Sequence, residues 1–251
     1  MALEKFLQEI DVLKTEFDQY RNLDNAKIQE ALAIEYTYES NRIEGNTLTL
    51  QETQLVIEKG LTISGKPLKE HLEAINHKEA IDFIVDLVQN KEPLNERNLL
   101  QIHSIILKSI DKENAGNYRK VPVLISGSTH TPPQPYLVQK LMEDYFLFYE
   151  ENKNSLHPVV LSAEMHERLV TIHPFIDGNG RASRLVMNLI LLQNGFPIAN
   201  IKGDTESRMK YYNALENSRI DNKAAFILLI AELVKESLER RIGLVKNKTE
   251  L

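Results

Sequence analysis

The segment TIHPFIDGNGRASR, residues 171–184, joins two helical patterns, one over residues 156–170 and one over 185–193. Asn194-Gly195 follows the second pattern and predicts the end of that helix. A loop that enters a helix presents free backbone N–H groups and the positive end of the helix dipole, and both attract anions. The segment therefore predicts an anion site at the start of a helix.

Four residues of this segment suit a phosphate group. Gly178 and Gly180 allow an anion to approach the backbone closely. Arg181 and Arg184 are three residues apart, so they share one face of the first helical turns and can reach the same anion.

Two further side chains add a metal ligand and a base. Asp177 offers the hard oxygen ligand that Mg²⁺ takes beside phosphate groups. His173 titrates near neutral pH and can accept a proton from a hydroxyl. The alternative is a tight connector, because Asp-Gly and Asn-Gly form turns, but a connector requires none of the charged side chains.

The same segment resembles the signature of Fic-domain proteins, His-x-Phe-x-(Asp/Glu)-Gly-Asn-Gly-Arg-x-x-Arg, and matches it at every defined position. This resemblance implies a protein adenylyltransferase that moves AMP from Mg²⁺-ATP to a Ser, Thr or Tyr hydroxyl of a target protein. It implies that His173 is the catalytic base and that Asp177 holds the metal. The anion hole and phosphate contacts are then expected from Gly178, Asn179, Gly180, Arg181 and Arg184.

An upstream segment, Ser40-Asn-Arg-Ile-Glu44-Gly45, resembles the inhibitory motif of the same family, (Ser/Thr)-x-x-x-Glu-(Gly/Asn). The resemblance implies an inhibitory helix that lies N-terminal to the catalytic core in the same chain. A carboxylate that pairs with an arginine meant for phosphate would deny ATP that contact. We therefore expect Glu44 to pair with Arg184.

Residues 114–135 differ from the helical remainder. The alternating apolar residues Val121, Val123 and Ile125, a turn at Gly127-Ser128 and several prolines predict an edge strand or hairpin, with an irregular loop as the alternative. The segment also resembles the Fic flap, which overhangs the active site and holds the target. We expect the target to contact Val123, Leu124, Ile125 and His130.

Tyr211-Tyr212-Asn213-Ala214-Leu215 resembles the helix that lines the adenine pocket in Fic proteins. Aromatic and apolar side chains suit a flat base, so Tyr211, Tyr212 and Leu215 are the candidate adenine contacts. Packing of both tyrosines in a helical core is the alternative.

Composition excludes several other classes. The net charge of −6 argues against nucleic acid as the main partner, and the absence of cysteine excludes disulfides and thiolate metal sites. The N-terminal segment has no long apolar core, and the longest apolar run, residues 224–231, is too short for a membrane span. We expect a cytoplasmic protein with a protein substrate; self-modification and a homodimer remain open.

The predicted fold is an all-α Fic-type bundle with one small β-hairpin, the flap. Residues 1–60 are expected to supply the N-terminal helices, including the inhibitory helix, and residues 61–251 the catalytic core. Removal of AMP from a modified target, and a nucleotide-binding regulatory module without activity, remain alternatives. Loss of His173 or Asp177 would indicate the second, and both are present.

Overall fold

The structure, a computed structural model, describes residues 2–220 and 223–246. Ten α-helices make up most of this part of the chain, and it contains no β-strand. The helices are α1 (Ala2–Tyr20), α2 (Ala26–Ile43), α3 (Leu50–Lys59), α4 (Leu68–Gln89), α5 (Glu96–Leu107), α6 (Val138–Asn152), α7 (Pro158–Ile172), α8 (Asn179–Gln193), α9 (Thr205–Ile220) and α10 (Lys223–Lys246). The predicted all-α class is confirmed.

Local capping explains where several helices begin and end. Asn25 accepts hydrogen bonds from the first-turn N–H groups of α2. Thr49 and Glu52 form the capping box that their spacing predicts, and Gly60 ends α3 in the left-handed conformation. The sequence pattern predicts a last helix over Asp221–Val245, and Asp221 lies outside the described residues.

Helix α8 lies at the centre of the bundle. Its residues Arg181–Leu191 are all buried, and it packs against α2, α4, α5 and α7. One apolar cluster fills the space between α4, α5, α6 and one side of α7 and α8. A second apolar cluster joins α1, α9 and α10 to the opposite side of α7 and α8. The first turn of α8 is therefore fixed by packing from several directions.

The N-terminal helices share the cores of the later ones. Helix α1 packs along α10, and α2 lies against α4 and α8. The division into N-terminal helices with the inhibitory helix, residues 1–60, and a catalytic core, residues 61–251, stays a prediction. None of the helices in the described residues combines the length and apolar character that crossing a bilayer requires.

The segment predicted to be a hairpin reverses direction without pairing into strands. Ser128 N–H donates to the carbonyl of Ile125 at 3.2 Å, which closes a turn at the predicted place. Pro122, Pro132 and Pro133 have no N–H group, so a continuous ladder between the two arms cannot form. This segment, residues 114–135, is called the flap below.

Candidate active site

The loop between α7 and α8 is closed by the side chain of Asn179. Its Oδ1 accepts a hydrogen bond from Phe175 N–H at 2.9 Å, and its Nδ2 donates to Phe175 O at 2.9 Å. Asn179 is 2% exposed, so this amide shapes the loop from inside. The structure thus gives the Asn179 side chain a structural task and leaves the anion contacts predicted for it to backbone N–H groups.

His103 on α5 packs against the same loop and forms a hydrogen bond to it. The sequence analysis did not predict this role. Its ring stacks on Phe175 at 3.6 Å, and its Nε2 donates to the carbonyl of Asp177 at 2.9 Å. Its Nδ1 accepts from Gly116 N–H at 3.0 Å, which ties the flap to the loop. Burial lowers the pKa of His103 to about 4, so the ring is neutral.

Gly178 precedes α8 in a conformation that suits glycine. Its φ is +78°, and a Cβ there would meet the His103 ring at 3.3 Å. The helix begins without a side-chain cap, so the N–H groups of its first turn remain available to an anion.

His173 ends α7 in the left-handed region, at φ 51°. Its Nδ1 lies 3.2 Å from the carbonyl of Val170. Since a carbonyl only accepts, Nδ1 carries the proton and Nε2 presents its lone pair. Burial lowers the pKa of His173 to about 4, and the nearby Arg119 and Arg219 act in the same direction. The side chain therefore has the protonation state that a general base requires.

Arg119 connects His173 to both arms of the flap. Its Nε donates to the carbonyl of His173 at 2.7 Å, while its two terminal nitrogens donate to Val121 O at 3.1 Å and Pro133 O at 2.5 Å. Arg119 is 3% exposed. One guanidinium thus replaces the missing ladder at the base of the flap.

Asp177 and Arg181 lie at the open end of α8. Asp177 Oδ1 accepts from Gly178 N–H at 2.6 Å, and its Oδ2 lies 3.3 Å from Arg181 Nη2. Burial alone would raise the pKa of Asp177, but the Arg181 charge and the Gly178 hydrogen bond hold it below its usual value. The carboxylate is ionised and its side chain is 51% exposed, so it can bind a cation.

Arg181 has donors without acceptors. It is 2% exposed, and its Nε and Nη1 form no hydrogen bond. Glu73 Oε1 is 3.7 Å from Nη1, too far for a hydrogen bond. A buried guanidinium with free donors beside a helix N-terminus is suited to a phosphate group.

Arg184, in contrast, is paired with Ser40 of α2 and with Glu44, the residue that follows α2. Its Nη2 donates to Glu44 Oε1 at 2.7 Å and to Ser40 O at 3.0 Å, and its Nε donates to Ser40 Oγ at 3.0 Å. Burial alone would lower the pKa of Arg184, but the Glu44 carboxylate raises it above its ordinary value. The expected pairing of Glu44 with Arg184 is confirmed.

Gly180 provides the space for this pair. A Cβ at Gly180 would lie 2.5 Å from Glu44 Oε1 and 3.1 Å from Arg184 Nη1. The second glycine of the motif thus allows a carboxylate, or another anion, to reach the start of α8.

Two of the three adenine candidates belong to the core. Tyr211 is 2% exposed with its hydroxyl 3.1 Å from His166 Nε2, and Leu215 is 4% exposed. Both pack in the apolar cluster around α9 and α10, which for Tyr211 is the core packing named as the alternative. Tyr212 is 39% exposed and donates to Ile43 O at 3.3 Å, close to Glu44.

The flap presents its predicted target contacts unevenly. Leu124 is 85% exposed, and Val123 and Ile125 are half-buried. His130 turns inward, where its Nε2 donates to the carbonyl of Thr171 at 2.9 Å. His130 therefore anchors the flap to the end of α7.

Comparison with known proteins agrees with this geometry. Residues 93–191 match the Fic/DOC family. Protein adenylyltransferase fic-1 of Caenorhabditis elegans is 30% identical over 250 residues, covering 98% of this chain and 48% of the relative. The chain contains a Fic domain.

Solved structures of Fic proteins share the fold. Fic-1 from C. elegans (residues 134–508) superposes with a TM-score of 0.86 at 28% identity, covering 98% of this chain and 73% of that one. A Fic domain containing signaling protein from Bacteroides thetaiotaomicron gives 0.83 at 29% identity, covering 95% and 97%. The chain spans about half the length of the curated relatives it matches.

Proposed function

We propose that this Fic protein is an adenylyltransferase that moves AMP from ATP to a Ser, Thr or Tyr hydroxyl of a protein and is inhibited by its own Glu44. The observation that carries the proposal is the pairing of the buried Arg184 with Glu44 at 2.7 Å, beside the open N-terminus of α8. A pair that occupies a phosphate-binding arginine is an inhibitory contact. The names of the curated relatives, protein adenylyltransferases, support the same reaction.

In the proposed reaction, the acceptor hydroxyl oxygen attacks the α-phosphorus and forms a new P–O bond. The bond between that phosphorus and the oxygen that bridges to the β-phosphate breaks, and pyrophosphate leaves with the electron pair. The hydroxyl proton passes to Nε2 of His173. The pKa of about 4 keeps this nitrogen unprotonated at neutral pH.

The start of α8 would stabilise the negative charge of the reacting phosphates. The free first-turn N–H groups and the unpaired donors of Arg181 are fixed before ATP binds, because both lie on a buried helix. Arg184 would hold the β- and γ-phosphates once Glu44 leaves it. The contribution of both arginines is chiefly to keep the leaving pyrophosphate in line.

Asp177 is the residue that would hold Mg²⁺. Among residues 2–220 and 223–246, no group of three or more acidic or histidine side chains could hold a metal by itself. A single ionised, half-exposed carboxylate fits Mg²⁺ nevertheless, since this ion draws its other ligands from phosphate oxygens and water. When bound, Mg²⁺ would neutralise charge on the phosphates.

The target is proposed to be a cytoplasmic protein, or the chain itself. The cysteine-free sequence suits a reducing compartment but does not require one.

Tyr212, which is partly exposed and close to Glu44, is the one adenine candidate that an entering nucleotide can reach without opening the core.

The test is transfer of label from ATP labelled at the α-phosphate to protein in a lysate. We expect Glu44→Gly to raise labelling by roughly ten- to a hundredfold, because a misplaced α-phosphorus costs about 10²-fold in rate. Arg184→Ala in the Glu44→Gly background should cancel the gain. His173→Ala in that background should abolish labelling.

Two outcomes would contradict the proposal. Equal labelling by the wild type and Glu44→Gly would show that α2 is structural. Label that arrives only from the γ-phosphate would indicate phosphoryl transfer instead of AMP transfer.

A further inference from the structure

The turn of the flap is attached to α9 through Ser128 and Thr129. Ser128 Oγ donates to the Glu216 carboxylate and accepts hydrogen bonds from Arg219 Nη1 at 3.2 Å and from His130 N–H at 3.1 Å. A serine hydroxyl has one donor and two acceptor positions, so this group is saturated. Thr129 adds two bonds to the other oxygen of Glu216, from Oγ1 at 2.9 Å and from N–H at 3.3 Å.

Arg219 extends this attachment to the helix that carries the catalytic base. Its Nη1 lies 2.7 Å from Glu216 Oε1, and its Nε donates to Thr171 Oγ1 at 3.1 Å. Thr171 Oγ1 in turn donates to Glu167 Oε1 at 3.0 Å. Thr171 lies two residues before His173, so the flap turn and the base share one hydrogen-bonded frame.

The flap needs such a frame because it has no ladder of its own. Arg119 binds both arms of the flap at the end away from the turn, but it forms no hydrogen bond to the turn itself. Without Glu216 and Arg219, the turn would keep little beyond the single inward bond of His130. A loop that must orient an acceptor hydroxyl is effective only when it is ordered beforehand.

We propose that Ser128, Glu216 and Arg219 form a clasp that sets the position of the flap turn relative to His173, and that they are positioning residues for the acceptor hydroxyl. This inference rests on the proposed function. The clasp touches neither the start of α8 nor the Glu44–Arg184 pair. Its loss should therefore affect transfer to protein and leave attack by water on ATP unchanged.

The competing interpretation is that Glu216 serves only α9, through its pairing with Arg219 three residues later. Pairs of this kind stabilise a helix only slightly. In that case the Ser128 hydroxyl would be dispensable. The two interpretations differ in whether changes at Ser128 and Glu216 are coupled.

The experiment uses Ser128→Ala, Glu216→Gln and the double variant, each in the Glu44→Gly background. Protein-bound label and free AMP are measured in the same reaction with ATP labelled at the α-phosphate. We expect protein labelling to fall about tenfold in each single variant, and AMP release to stay at the level of the background. The double variant should lose less labelling than the product of the two single effects, since both substitutions remove the bond between Ser128 and Glu216. Glu206→Gln, an exposed carboxylate change on the same helix, is the control and should alter neither product.

Amide hydrogen exchange provides a readout that does not depend on activity. Residues 123–131 should exchange faster in Ser128→Ala, while α7 and α8 keep their protection. Unchanged exchange in the flap, or additive effects of the two substitutions on labelling, would overturn the clasp. If the Glu44→Gly background formed neither labelled protein nor AMP, the proposed function would fail, and exchange would still decide the clasp.

Discussion

At the scale of single residues, the surroundings of His173 keep its ring neutral, as the proposed role of a base requires. The left-handed backbone at φ 51° places its Nδ1 against the carbonyl of Val170, which leaves Nε2 as the acceptor. Burial and the charges of Arg119 and Arg219 then favour the neutral ring. An unperturbed histidine would be partly protonated at pH 6.5, whereas this one is neutral.

This protonation state predicts the pH dependence of transfer. Because protonation of His173 begins only near its pKa of about 4, kcat/KM of the Glu44→Gly variant should stay level from pH 8 to about 5 and fall below that. Removing Glu44 strengthens the effect, since its charge raises the pKa of His173. Initial labelling rates across this range measure the profile, with circular dichroism as the control for folding. A half-maximal rate between pH 6 and 7 would show an ordinary histidine.

Sequence reasoning succeeded at residues whose pattern is contiguous and failed at residues that act from a distance. The motif itself and the Glu44–Arg184 pair were expected, the pair because the segment around Ser40 resembles an inhibitory motif. His103 and Arg119 were missed, because each contacts the site through a backbone carbonyl more than fifty residues away, Asp177 O for His103 and His173 O for Arg119. A helical histidine and a loop arginine give no sequence signal for such contacts.

At the scale of elements, α2 buries polar side chains beside the apolar ones that join it to the core. Thr37, Ser40 and Asn41 are buried on the side that meets α4 and α8. Thr37 Oγ1 and Asn41 Oδ1 have no hydrogen-bond partner. The two ring nitrogens of the nearby His77 also have none. A helix that buries unpaired polar atoms gains less from docking than one with an apolar face. This suits an element that, in the proposed activation, leaves Arg184.

Thr37→Val should therefore stabilise the fold. The substitution keeps the shape of the side chain and removes an unpaired buried hydroxyl, so the free energy of unfolding should rise by about 1 kcal/mol. Urea unfolding measures the change. Ser162→Ala is the matched control with the opposite sign, because its buried hydroxyl donates to Val159 O at 2.9 Å. A loss of stability in Thr37→Val would show that the hydroxyl has a partner, such as an ordered water.

The flap shows where element prediction reaches its limit. The alternation of Val121, Val123 and Ile125 indicated a strand, and Gly127-Ser128 correctly indicated a turn. Pairing requires N–H groups on both arms, and the prolines remove several of them. Side chains from α9 and from Arg119 supply the missing bonds, and no local pattern could predict these.

At the scale of the whole molecule, four histidines with a lowered pKa link stability to pH. His77, His103 and His166 lie within the bundle, and His173 lies at its catalytic edge. Burial lowers the pKa of each: to about 4 for His103 and His173, to about 3 for His166, and well below 6.5 for His77. Arg181 and Arg184 add to the effect at His77, and Arg184 and Arg219 at His166.

The sign of the resulting pH dependence follows from proton binding. Between pH 6.5 and about 4, the unfolded chain protonates these histidines and the folded chain does not. The unfolded state therefore binds more protons, and stability falls as the pH falls. Each such group contributes up to about 1.4 kcal/mol per pH unit in this window.

We expect the urea midpoint to decrease markedly from pH 7 to pH 5 and to change little from pH 7 to pH 8. His166→Gln should flatten this pH profile of the urea midpoint, because it removes one of the titrating groups. The control is His157→Gln. His157 is partly exposed, and its Nε2 lies 3.1 Å from Asp11 Oδ1. A midpoint that stays constant down to pH 5 would mean that these histidines are protonated inside the fold, and His173 would then lose its role as the base.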